Sequence, residues 1–174
     1  LGKATPSDGR FPLLVKILDA RERLSLQVHP PAVLAPRLPG EPKTEMWYVT
    51  DADEGATIMA GLRKGVLRAH FSRLAASGSV GNSVHRLPVK AGDAMFLPSG
   101  RVHALGEGIV LFEFQQNSDT TYRLFDWNRV GTDGKPRKLH LREALDSIDF
   151  GDFEPRLIRG AVESRETATL RTLV

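Results

Sequence analysis

Sixteen glycines and eleven prolines punctuate this 174-residue chain at near-even spacing, and the apolar segments between them are short. Proline cannot donate to a backbone ladder and glycine weakens the interior of either regular element. The rhythm therefore suits many short strands rather than a helical bundle. Strands are expected over residues 13–19, 25–29, 44–50, 56–60, 87–90, 94–97, 102–105, 109–116 and 121–127, with Pro30-Pro31 ending the second. Two segments break the pattern. Residues 67–77 set Leu67, Phe71 and Leu74 on one helical face with Gly78 as a stop, and residues 139–148 do the same with Leu141, Leu145 and Ile148. Residues 131–138 read as a polar loop, and an irregular tail follows Phe150. The length suits one domain, mainly β, with a small helical insertion.

Composition narrows the function classes. Hydrophobic residues at 41% and charged residues at 26% exclude a disordered chain. Lys plus Arg exceed the acids by only 24 to 21 with no basic run, which argues against a nucleic-acid partner. Cysteine is absent, removing disulfides, thiolate metal sites and thiol nucleophiles together. No stretch approaches the ~20 apolar residues of a membrane span and the start is no signal peptide, so no membrane partner is expected and the cytoplasm is the default location. Nothing in the pattern specifies an oligomer. The chain opens on Leu1 and runs into a loop over 2–9, as a piece of a longer polypeptide would.

The most specific pattern runs from Gly92-Asp93 through Ala94-Met95-Phe96-Leu97 to Pro98-Ser99-Gly100 and His103. A turn, a strand and a reversal deliver His103 into the following strand. Gln27 and His29, two apart on a strand, leave it on one face. Glu45 begins the next convincing strand. Two imidazoles, a carboxylate and an amide oxygen make a nitrogen/oxygen set that suits zinc and could also hold manganese, iron, cobalt or nickel. Along residues 109–123 Val110, Phe112 and Phe114 share one parity, expected to pack between sheets. Glu113, Gln115, Asn117, Asp119, Thr121 and Arg123 share the other, expected to line a polar pocket, with a bulge near Asn117-Ser118 able to break the alternation.

The Gly92–His103 pattern resembles the second conserved motif of the cupin superfamily. Leu26-Gln27-Val28-His29-Pro30, Lys43-Thr44-Glu45-Met46-Trp47-Tyr48 and Gly100-Arg101-Val102-His103-Ala104 resemble the metal-binding blocks of type I mannose-6-phosphate isomerases in their short bacterial form. So does the stretch from Glu113 through Asp119 and Arg123 to Asp126-Trp127-Asn128-Arg129. The resemblance implies a cupin double-stranded β-helix, a jelly-roll-like barrel. It implies a metal-binding catalytic domain over residues 11–150, with 151–174 leading toward a second cupin-like half that is absent here. It implies zinc held by Gln27, His29, Glu45 and His103, and interconversion of mannose 6-phosphate and fructose 6-phosphate, with a small sugar phosphate as partner. By the same likeness Lys43, Glu113, Asp119 and Arg123 would be catalytic, and Arg129 with Lys43 would bind substrate. The base stays open between Lys43, Glu113 and a metal-bound hydroxide. The rivals are a non-catalytic sugar-binding or sensor module that keeps the barrel, and a different metal cupin enzyme such as an oxygenase.

Overall fold

Alternation of side chains along the strands builds two layers. The computed structural model describes residues 9–131 and 133–158, together with the backbone of two further strands at 161–165 and 168–172. In chain order the elements are β1 (Leu13–Ala20), β2 (Leu26–Val28), β3 (Glu45–Ala52), β4 (Thr57–Leu62), α1 (Arg68–Ala76), β5 (Val84–Pro88), β6 (Ala94–Leu97), β7 (His103–Leu105), β8 (Ile109–Gln116), β9 (Tyr122–Phe125), α2 (Leu141–Ser147), β10 (Ala161–Arg165) and β11 (Ala168–Thr172). One sheet has the order β1-β8-β3-β6 and the other β5-β4-β7-β2-β9, while β10 and β11 pair as a separate hairpin. The ladders are antiparallel, so each strand can offer one face to the core.

Trp47, Val49, Met95, Leu97 and Leu111 from the four-stranded sheet meet Ile58, Ala60 and Leu105 from the five-stranded one, filling the space between layers. On the far side of the five-stranded sheet, Leu26, Val28, Met59, Ala104 and Leu124 pack with Phe71 and Ala75 of α1 and Ala144 of α2. Helices thus cover that outer face. Among the described residues no helix is long and apolar enough to cross a membrane.

Three expectations are corrected. Along β8 the inward residues are Ile109, Leu111, Glu113 and Gln115, so Val110, Phe112 and Phe114 point away from the core instead of packing between sheets. The expected strand at 87–90 lies over Val84–Pro88, because its ladder partner β4 begins at Thr57 opposite Pro88 and runs on to Leu62 opposite Val84. The tail after Phe150 is not irregular throughout: β10 and β11 pair as a hairpin, and residues 152–158, which form no regular element, are anchored where Arg101 grips Asp152 with two hydrogen bonds of 2.8 and 2.7 Å, Phe153 bridges to Leu62, and Ile158 bridges to Ala94.

Candidate metal centre

The site forms where the two sheets face each other. Gln27 on β2 stands directly opposite His103 on β7, and His29 follows two residues after Gln27 on the same face. The reversal before β7 is a tight turn in which the Arg101 N–H donates to the Pro98 carbonyl at 3.1 Å. Gly100 supplies its positive φ of 92° and donates to the His29 carbonyl at 2.9 Å, locking the two histidine-bearing segments together. Glu45 comes from the other sheet, at the start of β3 between Leu97 and Gln115.

His29, Glu45 and His103 are buried, and one ligand atom from each lies within 4.8 Å of the others. His29 Nε2 is 3.2 Å from Glu45 Oε1 and His103 Nε2 is 3.5 Å from Glu45 Oε2. Ligands about 2.1 Å from a tetrahedral ion stand about 3.4 Å apart, so these separations match the edges of such a site. The outer nitrogens are already committed. His29 Nδ1 donates to the Thr120 carbonyl at 2.8 Å and His103 Nδ1 to the Arg101 carbonyl at 2.9 Å, which turns both Nε2 lone pairs inward. Burial pushes the His103 imidazole down to about 4, against the pull of Glu45, and keeps it neutral as a ligand must be. Burial would raise the Glu45 carboxyl, but His29, His103 and Lys43 outweigh it and hold it well below the usual carboxylate range. His29 Nε2 and both Glu45 oxygens are buried without a hydrogen bond. Lys43 Nζ stands 2.6 Å from Glu45 Oε1, an ion pair out of hydrogen-bond alignment. Buried acceptors left unpaired are costly, and a divalent cation among them satisfies all three.

Residues 2–60 match the catalytic domain of type I phosphomannose isomerase. The chain is 45% identical over 142 residues to the mannose-6-phosphate isomerase of Streptococcus mutans, covering 81% of this chain and 45% of that one. It is 44% identical over 149 residues to mannose-6-phosphate isomerase ManA of Bacillus subtilis, covering 84% and 47%. A crystal structure of the mannose 6-phosphate isomerase from Bacillus subtilis superposes with a TM-score of 0.84 at 36% identity, over 95% of this chain and 53% of that one. The chain belongs to the type I phosphomannose isomerase family. It spans about half the length of the curated relatives it matches.

In this member of the family, four more of the singled-out residues take separate places. Gln27 lies at the centre, its amide N–H donating to His103 Nε2 at 3.3 Å; half a turn of the amide presents its oxygen at the same place. Glu113 is buried on the inner face of β8, accepting from Trp47 Nε1 at 3.0 Å with Lys16 Nζ at 3.5 Å. Arg123 on β9 is directly opposite Gln27, so both side chains leave the sheet on one face. Its Nη1 donates to the Lys138 carbonyl at 3.0 Å, and its Nε is buried without a partner. Asp119 is exposed in the loop after β8 and joins Arg123 by no ion pair or hydrogen bond; β8 ends at Gln116 and Ser118 turns inward, which breaks the expected alternation.

Sequence reasoning missed four contributors. Trp47 sits edge-on to His103, with ring centroids 5.5 Å apart, while pinning Glu113. Lys16 reaches Gln115 Oε1 at 2.7 Å from β1, and its signal was a lone charge at an inward parity of Leu-Leu-Val-Lys-Ile-Leu. Buried Asp126 holds Arg129 at 2.6 Å and takes two hydrogen bonds from Arg137. Arg137 belongs to the segment read as a plain polar loop, and no local pattern distinguishes it there.

Proposed function

We propose that this chain carries the catalytic centre of a metal-dependent aldose–ketose isomerase interconverting mannose 6-phosphate and fructose 6-phosphate, with zinc as its ion. The observation that carries this reading is the buried His29–Glu45–His103 cluster, whose lone pairs converge and in which His29 Nε2 and both Glu45 oxygens have no hydrogen bond. Gln27 joins as the fourth ligand through its amide oxygen. The two-imidazole, one-carboxylate set suits zinc over softer or strictly octahedral ions. When bound, the ion acts as a Lewis acid toward the sugar oxygens and stabilises the charge that builds there as a proton moves between neighbouring carbons.

The chain's own residues supply binding and orientation. Lys43, buried and ion-paired to Glu45, places a charged donor beside the ligand cluster. Glu113 has both oxygens engaged by Trp47 and Lys16, so its part is to hold that wall of the site rigid. Arg123 holds its Nε buried without a hydrogen-bond partner, and its guanidinium charge, which cannot be lost near neutrality, suits it to an anionic group of the substrate. Arg123, Arg129 and Arg137 together face two carboxylates, Asp126 and the exposed Glu22, leaving a cluster of net positive charge suited to a phosphate. The test is direct. Metal-loaded protein with mannose 6-phosphate should yield fructose 6-phosphate, and chelator should abolish the yield; no turnover from metal-replete, folded protein would leave binding without catalysis.

A further inference from the structure

The outer nitrogen of His103 leads away from the metal centre to a clamp that lies beyond Phe150. Nδ1 donates to the Arg101 carbonyl at 2.9 Å, so the direction of Nε2 follows wherever that carbonyl is held. Residues 98–102 belong to no strand, and the carbonyl therefore has no ladder of its own to fix it. The Arg101 side chain fixes it from two sides. Nη1 donates to the Phe96 carbonyl on β6 at 2.6 Å. Nε and Nη2 donate side by side to the two oxygens of Asp152, at 2.8 and 2.7 Å, the planar fork that a guanidinium and a carboxylate make best. Only 15% and 17% of these two side chains is exposed, so solvent and salt compete little with the pair.

Asp152 is itself firmly held. Its carbonyl accepts from the Leu62 N–H at 2.9 Å, and the Glu154 N–H donates to the Leu62 carbonyl at 2.9 Å, which ties the segment to the end of β4. Three residues earlier, the Asp149 N–H donates to the Gly100 carbonyl at 2.9 Å. The segment after α2 thus grips the turn before His103 twice, through the backbone of Gly100 and the side chain of Arg101.

We propose that Asp152 is a positioning residue for the metal centre: through Arg101 it fixes the carbonyl that orients His103, and so raises the affinity of this chain for a divalent cation. The inference rests on the metal centre proposed above. A ligand held in place before the ion arrives spends none of the binding energy on ordering itself, and a ring whose outer acceptor drifts loses that advantage. A plain structural tie would behave differently. Arg68 and Asp146 form one at 2.8 Å, joining α1 to α2 on the outer side of the five-stranded sheet, away from the ligands.

The test reads zinc affinity and needs no turnover. In competition with a chromophoric chelator, Asp152→Ala should raise the zinc Kd roughly tenfold, the lower end of what losing an outer partner of a ligating histidine costs. Asp152→Asn keeps the size but loses the charge, and should fall between parent and Asp152→Ala. Arg101→Ala should match Asp152→Ala, and the double variant should bind no more weakly than either, because both changes cut one linkage. Asp146→Ala should keep the parent Kd. Thermal unfolding of each apo protein separates lost stability from lost affinity. Parent affinity in Asp152→Ala or Asp152→Asn, at any melting temperature, overturns the proposal and leaves Asp152 a tie between segments. Additive losses in the double variant, or an equal loss in Asp146→Ala, overturn it as well. A folded parent that binds no zinc fails earlier, at the metal centre itself, and takes this proposal with it.

Discussion

Lys43 and Glu45 lie two residues apart and their charged ends meet at 2.6 Å, yet only the carboxylate can bind a cation. The two substitutions should therefore separate. Lys43→Met keeps the buried stem, so metal content by elemental analysis should stay at the parent level while turnover of mannose 6-phosphate falls by about 100-fold or more. Parent kinetics in that variant would assign Lys43 to neutralising Glu45 alone. A similar contrast sorts the arginines. Arg123 has a buried Nε with no protein partner, so Arg123→Ala should lower kcat by about 10²–10³-fold, a loss of transition-state stabilisation. Arg137 is tied to Asp126 at the margin of the site, so Arg137→Ala should raise KM with kcat nearly unchanged, as loss of uniform binding does. Equal effects of the two variants on kcat would break this division of labour.

At the scale of the element, close backbone approach sets the limits. A Cβ on Gly106, just after β7, would stand 2.0 Å from the Thr57 carbonyl oxygen at the head of β4. Backbone cannot yield as a flexible side chain can, so Gly106→Ala should cost about 3 kcal/mol and lower the melting temperature by roughly 10 °C, read by calorimetry. An unchanged melting temperature would mean that the β4–β7 edge shifts freely. Much of this level was legible in advance. The bounds of β6 and β8 follow from Gly, Pro and alternation, and Gly100 announces the reversal that aims His103. What escaped depended on pairing across the molecule. Val110, Phe112 and Phe114 show a clean apolar parity, but alternation cannot say which face is inside when Glu113 and Gln115 are the buried pair serving the site. His29, Glu45 and His103, which the structure brings together, stood out by donor type and strand spacing. The Asp126–Arg137 contact spans a loop without regular structure, and residue type there carries no directional signal.

Across the whole molecule, the candidate metal centre is also a tie between layers. His29 and His103 belong to the five-stranded sheet and Glu45 to the four-stranded one, so an ion held by all three joins the layers at their interior. An ion that binds the folded chain alone stabilises it by RT ln(1 + [L]/Kd), about 2.7 kcal/mol at a hundredfold excess over Kd. For a chain of this size that corresponds to roughly 5–10 °C in melting temperature. Removing the ion also leaves Glu45 buried with the Lys43 ion pair but no hydrogen bond to either oxygen, which costs the apo form further. Thermal unfolding followed with and without chelator should show a shift of that order, growing with the concentration of added zinc. Glu45→Ala removes the one candidate ligand contributed by the four-stranded sheet, so its melting temperature should respond to neither chelator nor zinc. A parent protein indifferent to chelator would deny the centre any part in holding the two sheets together, whatever it does for a substrate.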